Sequence, residues 1–267
     1  MSNKKTSGGF SSLVASIAIV IALIIGICVY LFIFGDPSHF VNGDNTLEPL
    51  DGDYLGIIYK GGIIVPFLVA VNLIVIIFSV ERFITMAKTK GRGNINNFVL
   101  KIKSLLDERD VQGAIAECDK QRGSVANVVR AGLEKYSHMQ SNSELDKEQK
   151  VESIKKELEE ATALELPMLS KNLVVLSTCS SIGVLIGLIG TVLGMIKSFS
   201  AMSKGTPDTA MLATGISEAL INTFLGILAS TLAIVLYNMF STKIDQMTYS
   251  MDEASFTIVQ NFTATEK

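Results

Sequence analysis

Four stretches of this 267-residue chain are too long and too free of charge to form the interior of a water-soluble domain. Leu13 to Phe34 is uncharged over 22 residues, enough for one helical crossing of an apolar layer about 30 Å thick. Ile63 to Val80 is a shorter second run, lengthened by Gly61 and Gly62 and closed by Glu81 and Arg82. Asn172 to Ile196 is a third, wholly uncharged. Thr209 to Thr242 is a fourth, and its one charged residue is Glu218. At about 1.5 Å per residue the fourth run reaches about 50 Å, so it is expected to project beyond the bilayer. The first run is read as a retained helix: its apolar core is too long for a cleaved signal, and Gly35-Asp36-Pro37 follows it instead of a small-x-small site.

Charge sets the expected orientation. Of 23 basic residues, 16 lie between Glu81 and Lys171, whereas Phe34 to Gly62 holds only Lys60 and the loop after the third run only Lys204, with Lys197 at its edge. The positive-inside rule then places both termini and the long middle segment in the cytoplasm. The expected organisation runs from a cytoplasmic N-terminus (1–12) through transmembrane helix 1 (13–34) and a periplasmic loop (35–61) to transmembrane helix 2 (62–82). A cytoplasmic helical domain (83–170) leads to transmembrane helix 3 (171–198), a second periplasmic loop (199–209), transmembrane helix 4 (210–240) and a cytoplasmic C-terminal helix or tail (241–267). The 35–61 loop, with several Gly and Pro, is expected to hold little regular structure. Pro167 is expected to kink, not end, the helix approaching the third span. The fold class is an all-α integral membrane protein: four transmembrane helices, with long helices extending into a helical cytoplasmic domain.

Several functions are disfavoured. A net charge of −3 with no basic cluster gives no footprint for nucleic acid. Cys28, Cys118 and Cys179 are scattered and odd in number, which argues against both disulfides and a metal site. His39 and His138 are read as solvated. No HExxH or GxSxG occurs, and the 190–198 segment echoes a phosphate loop with the wrong spacing and no preceding strand. Neither an enzyme nor a cofactor is expected.

The third and fourth spans carry unusual stripes. Ser180, Gly183, Gly187, Thr191, Gly194 and Ser198 recur every three or four residues and so share one helix face. Gly215, Ala219, Thr223, Gly226, Ser230, Ala233 and Tyr237 repeat the device. Two readings stay open. Gly183-x-x-x-Gly187 and Gly190-x-x-x-Gly194 are helix-packing motifs, with Gly226 of the same kind, and Ser and Thr can bond their own backbone. Alternatively, Ser180, Thr191, Ser198, Thr223 and Ser230 line an ion path. Glu218 favours the second, since an intramembrane carboxylate is costly and usually faces a polar interior. Asn222, one turn on, is placed to hydrogen-bond it. Ser and Thr solvate an ion but do not titrate, so a proton relay needs Glu218 or a carboxylate from another subunit.

At these residues the chain resembles the ExbB/TolQ branch of the MotA/TolQ/ExbB proton-channel family. The likeness covers roughly residues 63–240. It is strongest in Leu188-Ile-Gly-Thr-Val-Leu-Gly-Met-Ile-Lys-Ser-Phe199, in Gly215-Ile-Ser-Glu-Ala-Leu-Ile-Asn-Thr-Phe-Leu-Gly226, and in Tyr237-Asn238. Ala114-Ile-Ala-Glu-Cys118 and Val129-Arg-Ala-Gly-Leu133 resemble the family's helical region. The resemblance implies a stator subunit of a proton-motive-force-driven motor in the bacterial inner membrane. Such a subunit forms a pentamer around an ExbD/TolR-like single-span partner carrying a membrane aspartate, and passes work to a TonB/TolA-like transducer. It also implies that Thr191 and Thr223 face that aspartate and that Glu218 is the family glutamate. Protons are the expected ion, although Thr178, Ser181 and Thr231 would suit sodium. The first helix is an addition to the three spans of many relatives, Val184 and Leu232 stand where prolines are common, and the tail after Asn238 is short. A non-conducting membrane scaffold, or the stator of a flagellar or gliding motor, is the alternative.

Overall fold

The computed structural model describes residues 7–202 and 209–266, with side chains described from Ile17 onward. Lys204, named in the orientation count, lies outside the described residues, as do residues 1–6 of the expected cytoplasmic N-terminus and most of the 199–209 loop. Among the described residues the secondary structure is helices joined by turns and short loops, with one isolated antiparallel bridge between Phe40 and Pro49. The helices are α1 (Ser7–Cys28), α2 (Tyr54–Tyr59), α3 (Val65–Thr89), α4 (Ile95–Asp107), α5 (Val111–Gln121), α6 (Gly123–Ser141), α7 (Lys147–Ser170), α8 (Leu173–Met202) and α9 (Thr209–Thr265). Among the described residues, four helical segments are long and apolar enough to cross a membrane. The fold is that of an all-α membrane protein.

The chain divides into two compact units. The first holds residues 1–80 and 174–237. Here α1 continues beyond Cys28 as a π-type turn over Val29–Phe34. It lies close on α3: Ala22 is fully buried, and a Cβ added to Gly26 would stand 2.7 Å from the Pro66 carbonyl oxygen. Pro66 is tolerated because the first turn of α3 has no intrahelical use for its missing N–H. Val65 and Leu68 of α3 pack with Ile221 and Leu225 of α9, flanked by Tyr30, Phe34, Ile57 and Ile58.

The 35–61 loop is more ordered than its composition suggests. Asp53 caps α2, its Oδ1 accepting from the backbone N–H of Leu55 (3.0 Å) and Gly56 (3.1 Å). Asp36 and Asp44 accept in the same way from Ser38 and Thr46, closing two tight turns. Phe40 is buried beneath Tyr59, with ring centroids 5.4 Å apart. His39 is not simply solvated; its Nδ1 lies 2.7 Å from Asp53 Oδ2.

The second unit holds residues 81–173 and 238–267. Each of its helices presents an apolar stripe, including Phe98, Ile102 and Leu106 of α4, Val128, Val129 and Leu133 of α6, and Ile154 and Leu158 of α7. The end of α9 adds Met251, Ile258 and Phe262, all fully buried, and Tyr136 Oη donates to Asn261 Oδ1 at 3.0 Å. Arg82 is buried but paired with Glu81, and it donates to the Leu169 carbonyl at 3.2 Å. The helix bearing Pro167 does end before the third span. The break falls at Asn172, whose φ of +61° is a left-handed conformation that asparagine tolerates better than most residues. The segment 241–265, in contrast, is simply the remainder of α9.

Candidate ion-path site

The two small-residue stripes meet each other. A Cβ on Gly194 would stand 2.6 Å from the Gly215 carbonyl, one on Gly226 would stand 2.6 Å from the Gly183 carbonyl, and one on Gly187 would stand 3.0 Å from the Asn222 carbonyl. These glycines let α8 and α9 approach backbone to backbone. Gly190 makes room for a side chain instead, since a Cβ there would stand 2.6 Å from Asn222 Cγ. The glycines expected to pack, Gly183, Gly187, Gly190, Gly194 and Gly226, all lie in the seam.

The hydroxyls divide into two groups. Ser198 is fully enclosed and donates to the Leu212 carbonyl at 3.0 Å. Ser230 is buried as well, and its Oγ accepts from the Val184 N–H at 3.0 Å. A proline at 184 would lack that donor. Ser180, half-buried, donates to its own helix at the Ser177 carbonyl. Thr191 and Thr223 are also half-buried and hydrogen-bond each other across the seam. Thr191 Oγ1 lies 3.1 Å from the Gly187 carbonyl and 3.4 Å from that of Ala219, and Thr223 Oγ1 lies 3.0 Å from the same Ala219 oxygen. Both hydroxyl protons thus have acceptors within the seam. The oxygens keep free lone pairs, which suits them to solvate a cation.

Glu218 and Asn222 do not bond each other. Glu218 Oε2 accepts from Lys197 Nζ at 2.8 Å, and the carboxylate is mostly buried while the lysine is half-exposed. Asn222 is fully buried, and its Nδ2 donates to the Gly61 carbonyl at 2.8 Å. Its Oδ1 is buried without a protein partner. Gly62, with a φ of +78°, packs directly on Glu218; a Cβ there would stand 2.9 Å from the carboxyl carbon. Sequence reasoning misses Lys197 as a partner, because a charge at the edge of a span reads there only as a mark of orientation. The signal was that Lys197 and Glu218 sit at matching ends of two consecutive antiparallel spans. The Gly61–Gly62 turn carried no comparable signal. No group of three or more His, Cys, Asp or Glu able to hold a metal occurs among the described residues.

Nearby, in the 35–61 loop, burial holds the Lys60 ammonium below the usual lysine range; Glu48 and Asp44 oppose this and Lys197 adds to it. Asp53 is held below the usual carboxylate range by the Gly56 N–H and by His39.

The sequence model of the MotA/TolQ/ExbB proton channel family matches residues 120–253. The chain is 30% identical over 165 residues to the Tol-Pal system protein TolQ of Pseudomonas aeruginosa, covering 58% of this chain and 71% of that protein. It is 31% identical over 170 residues to the biopolymer transport protein ExbB of Pseudomonas putida, covering 63% of this chain and 49% of the relative. Against the ExbB of Salmonella typhimurium it is 40% identical over 70 residues, 26% of this chain and 29% of the other. The stretch matched by the family model takes in Thr191 and Thr223 of the seam, and the chain belongs to the MotA/TolQ/ExbB proton channel family.

Proposed function

We propose that this chain is the ion-conducting stator subunit of a proton-motive-force-driven motor in the bacterial inner membrane, energising outer-membrane transport or envelope maintenance. The observation that carries this reading is the Thr191–Thr223 hydroxyl pair, half-buried where two membrane helices meet. Its relatives named TolQ and ExbB support the same reading. Protons are the ion. The spans contain no aspartate, and Glu218 is already neutralised by Lys197, so Glu218 has a structural or gating part. The titrating carboxylate comes from an ExbD/TolR-like single-span partner enclosed by a pentamer of this chain, with both termini of each subunit cytoplasmic. A TonB/TolA-like protein carries the work outward. Each charge moved down the potential releases about 2.3 kcal/mol per 100 mV, so no nucleotide is needed.

The glycine seam favours a second reading, a non-conducting scaffold in which the stripes serve packing alone. Proton flux into liposomes containing the chain and its single-span partner separates the two. Thr191→Val and Thr223→Val are expected to lower flux at least about tenfold, a barrier change of roughly 1.4 kcal/mol, with the assembly intact. Undiminished flux in both variants favours the scaffold.

A further inference from the structure

Helix α1 and the 35–61 loop take no part in the α8–α9 seam, yet their contacts converge on the turn that covers Glu218 and Asn222. Tyr30 Oη donates to the Tyr59 carbonyl at 3.2 Å, and the two rings stack with centroids 4.7 Å apart. Asn45 Nδ2 donates to Tyr59 Oη at 3.3 Å. Lys60 Nζ donates to the carbonyls of Asn45 and Thr46, each at 3.1 Å, tying the next residue to the same loop. Gly61 follows at once and accepts from Asn222, and Gly62 lies on Glu218. A Cβ at Gly61 would stand 2.8 Å from Ile221 Cγ2, so the turn is fitted to α9 along its backbone.

We infer that α1 and the 35–61 loop form a brace for the polar end of the ion path, in which Tyr30, Tyr59 and Lys60 are positioning residues acting through the Gly61–Gly62 turn on Asn222 and Glu218. This rests on the conducting role proposed above for the α8–α9 seam. The physical reason lies in Asn222. Its amide is fully buried with one oxygen unpaired, an arrangement that costs free energy and persists only where the surroundings hold it. The Gly61 carbonyl fixes the Nδ2 side. Oδ1 is thereby left as a buried acceptor for a water or hydrated proton one turn from the carboxylate. The titratable groups around this end are Tyr30 on the π-type turn that continues α1, Tyr59 and Lys60 on the loop, Lys197 on α8 and Glu218 on α9, with Asp44 and Glu48 acting on Lys60. Loosening the brace alters the hydration of the whole group.

The full chain co-purified with its single-span partner, in proteoliposomes, tests this through proton flux as a function of pH. Tyr30→Leu and Lys60→Met are expected to move the midpoint of the flux–pH profile by about half a unit or more, with the assembly intact. Tyr30→Phe keeps the stacked ring and should restore most of the wild-type profile. Phe32→Leu, at an exposed position of the same helix, should change nothing. Unmoved profiles in Tyr30→Leu and Lys60→Met, alongside a conduction defect in Thr191→Val, overturn the brace and leave the conducting role standing. If the wild-type complex passes no protons, the conducting role fails instead. The brace is then decided by side-chain amide exchange of Asn222 in protein labelled with nitrogen-15 asparagine. Exchange about tenfold faster in Tyr30→Leu supports it, and equal rates overturn it.

Discussion

Asp53 lies in a loop rich in acidic residues, and in the fold it also caps α2 and pairs with His39. The Gly56 N–H, then His39, hold its carboxyl below the usual range, so its folded-state pKa lies under the unfolded value of about 3.9. A depressed carboxylate contributes stability that is complete above the unfolded value and is lost as pH falls through the folded one. Protection of the Leu55 and Gly56 amides against hydrogen exchange is therefore expected to hold from neutral pH down to about pH 5 and to fall below about pH 4. Constant protection down to about pH 3 would contradict the capping role. Helical spacing puts Thr191 and Thr223 on the small-residue faces and the family resemblance singles them out, but their bond to each other appears only in the fold. Matching ends of two consecutive spans make Lys197 a candidate partner of Glu218, but the ion pair itself depends on the register between helices, which no single helix encodes.

At the scale of the element, the spans were readable from hydropathy alone, since an uncharged run of about 20 residues has few other soluble destinations. Their ends were less so. Pro167 sits within α7, whereas the break falls at Asn172, where a left-handed residue stops the helix outright. The α8–α9 seam depends on the absence of side chains. Gly194→Val would force branched carbons into the Gly215 backbone, where even a Cβ would stand 2.6 Å from the carbonyl oxygen. Overpacking of this kind costs about 1–3 kcal/mol. Thermal unfolding of the purified protein should show the loss, and an unchanged transition would mean that the helices are not in this close contact.

For the whole molecule, the placement of acid groups carries the main consequence. With Glu218 paired to Lys197 and no aspartate in any span, the chain alone should leave liposomes tight to protons. Flux should appear on adding the single-span partner and should survive Glu218→Gln in this chain. Conduction by the chain alone, or its loss in Glu218→Gln with assembly intact, would transfer proton carriage to Glu218. By itself the sequence determined the membrane class, the four spans and the two hydroxyl-bearing stripes, because hydropathy and helical periodicity are properties of one segment at a time. Only the tertiary structure decided what those stripes face. The glycines pack against each other and enclose Ser198 and Ser230, Thr191 and Thr223 stay partly open, and the Gly61–Gly62 turn closes over Asn222 and Glu218. These outcomes depend on the register between helices far apart in the chain, which is set by close packing of surfaces that no one-dimensional pattern specifies.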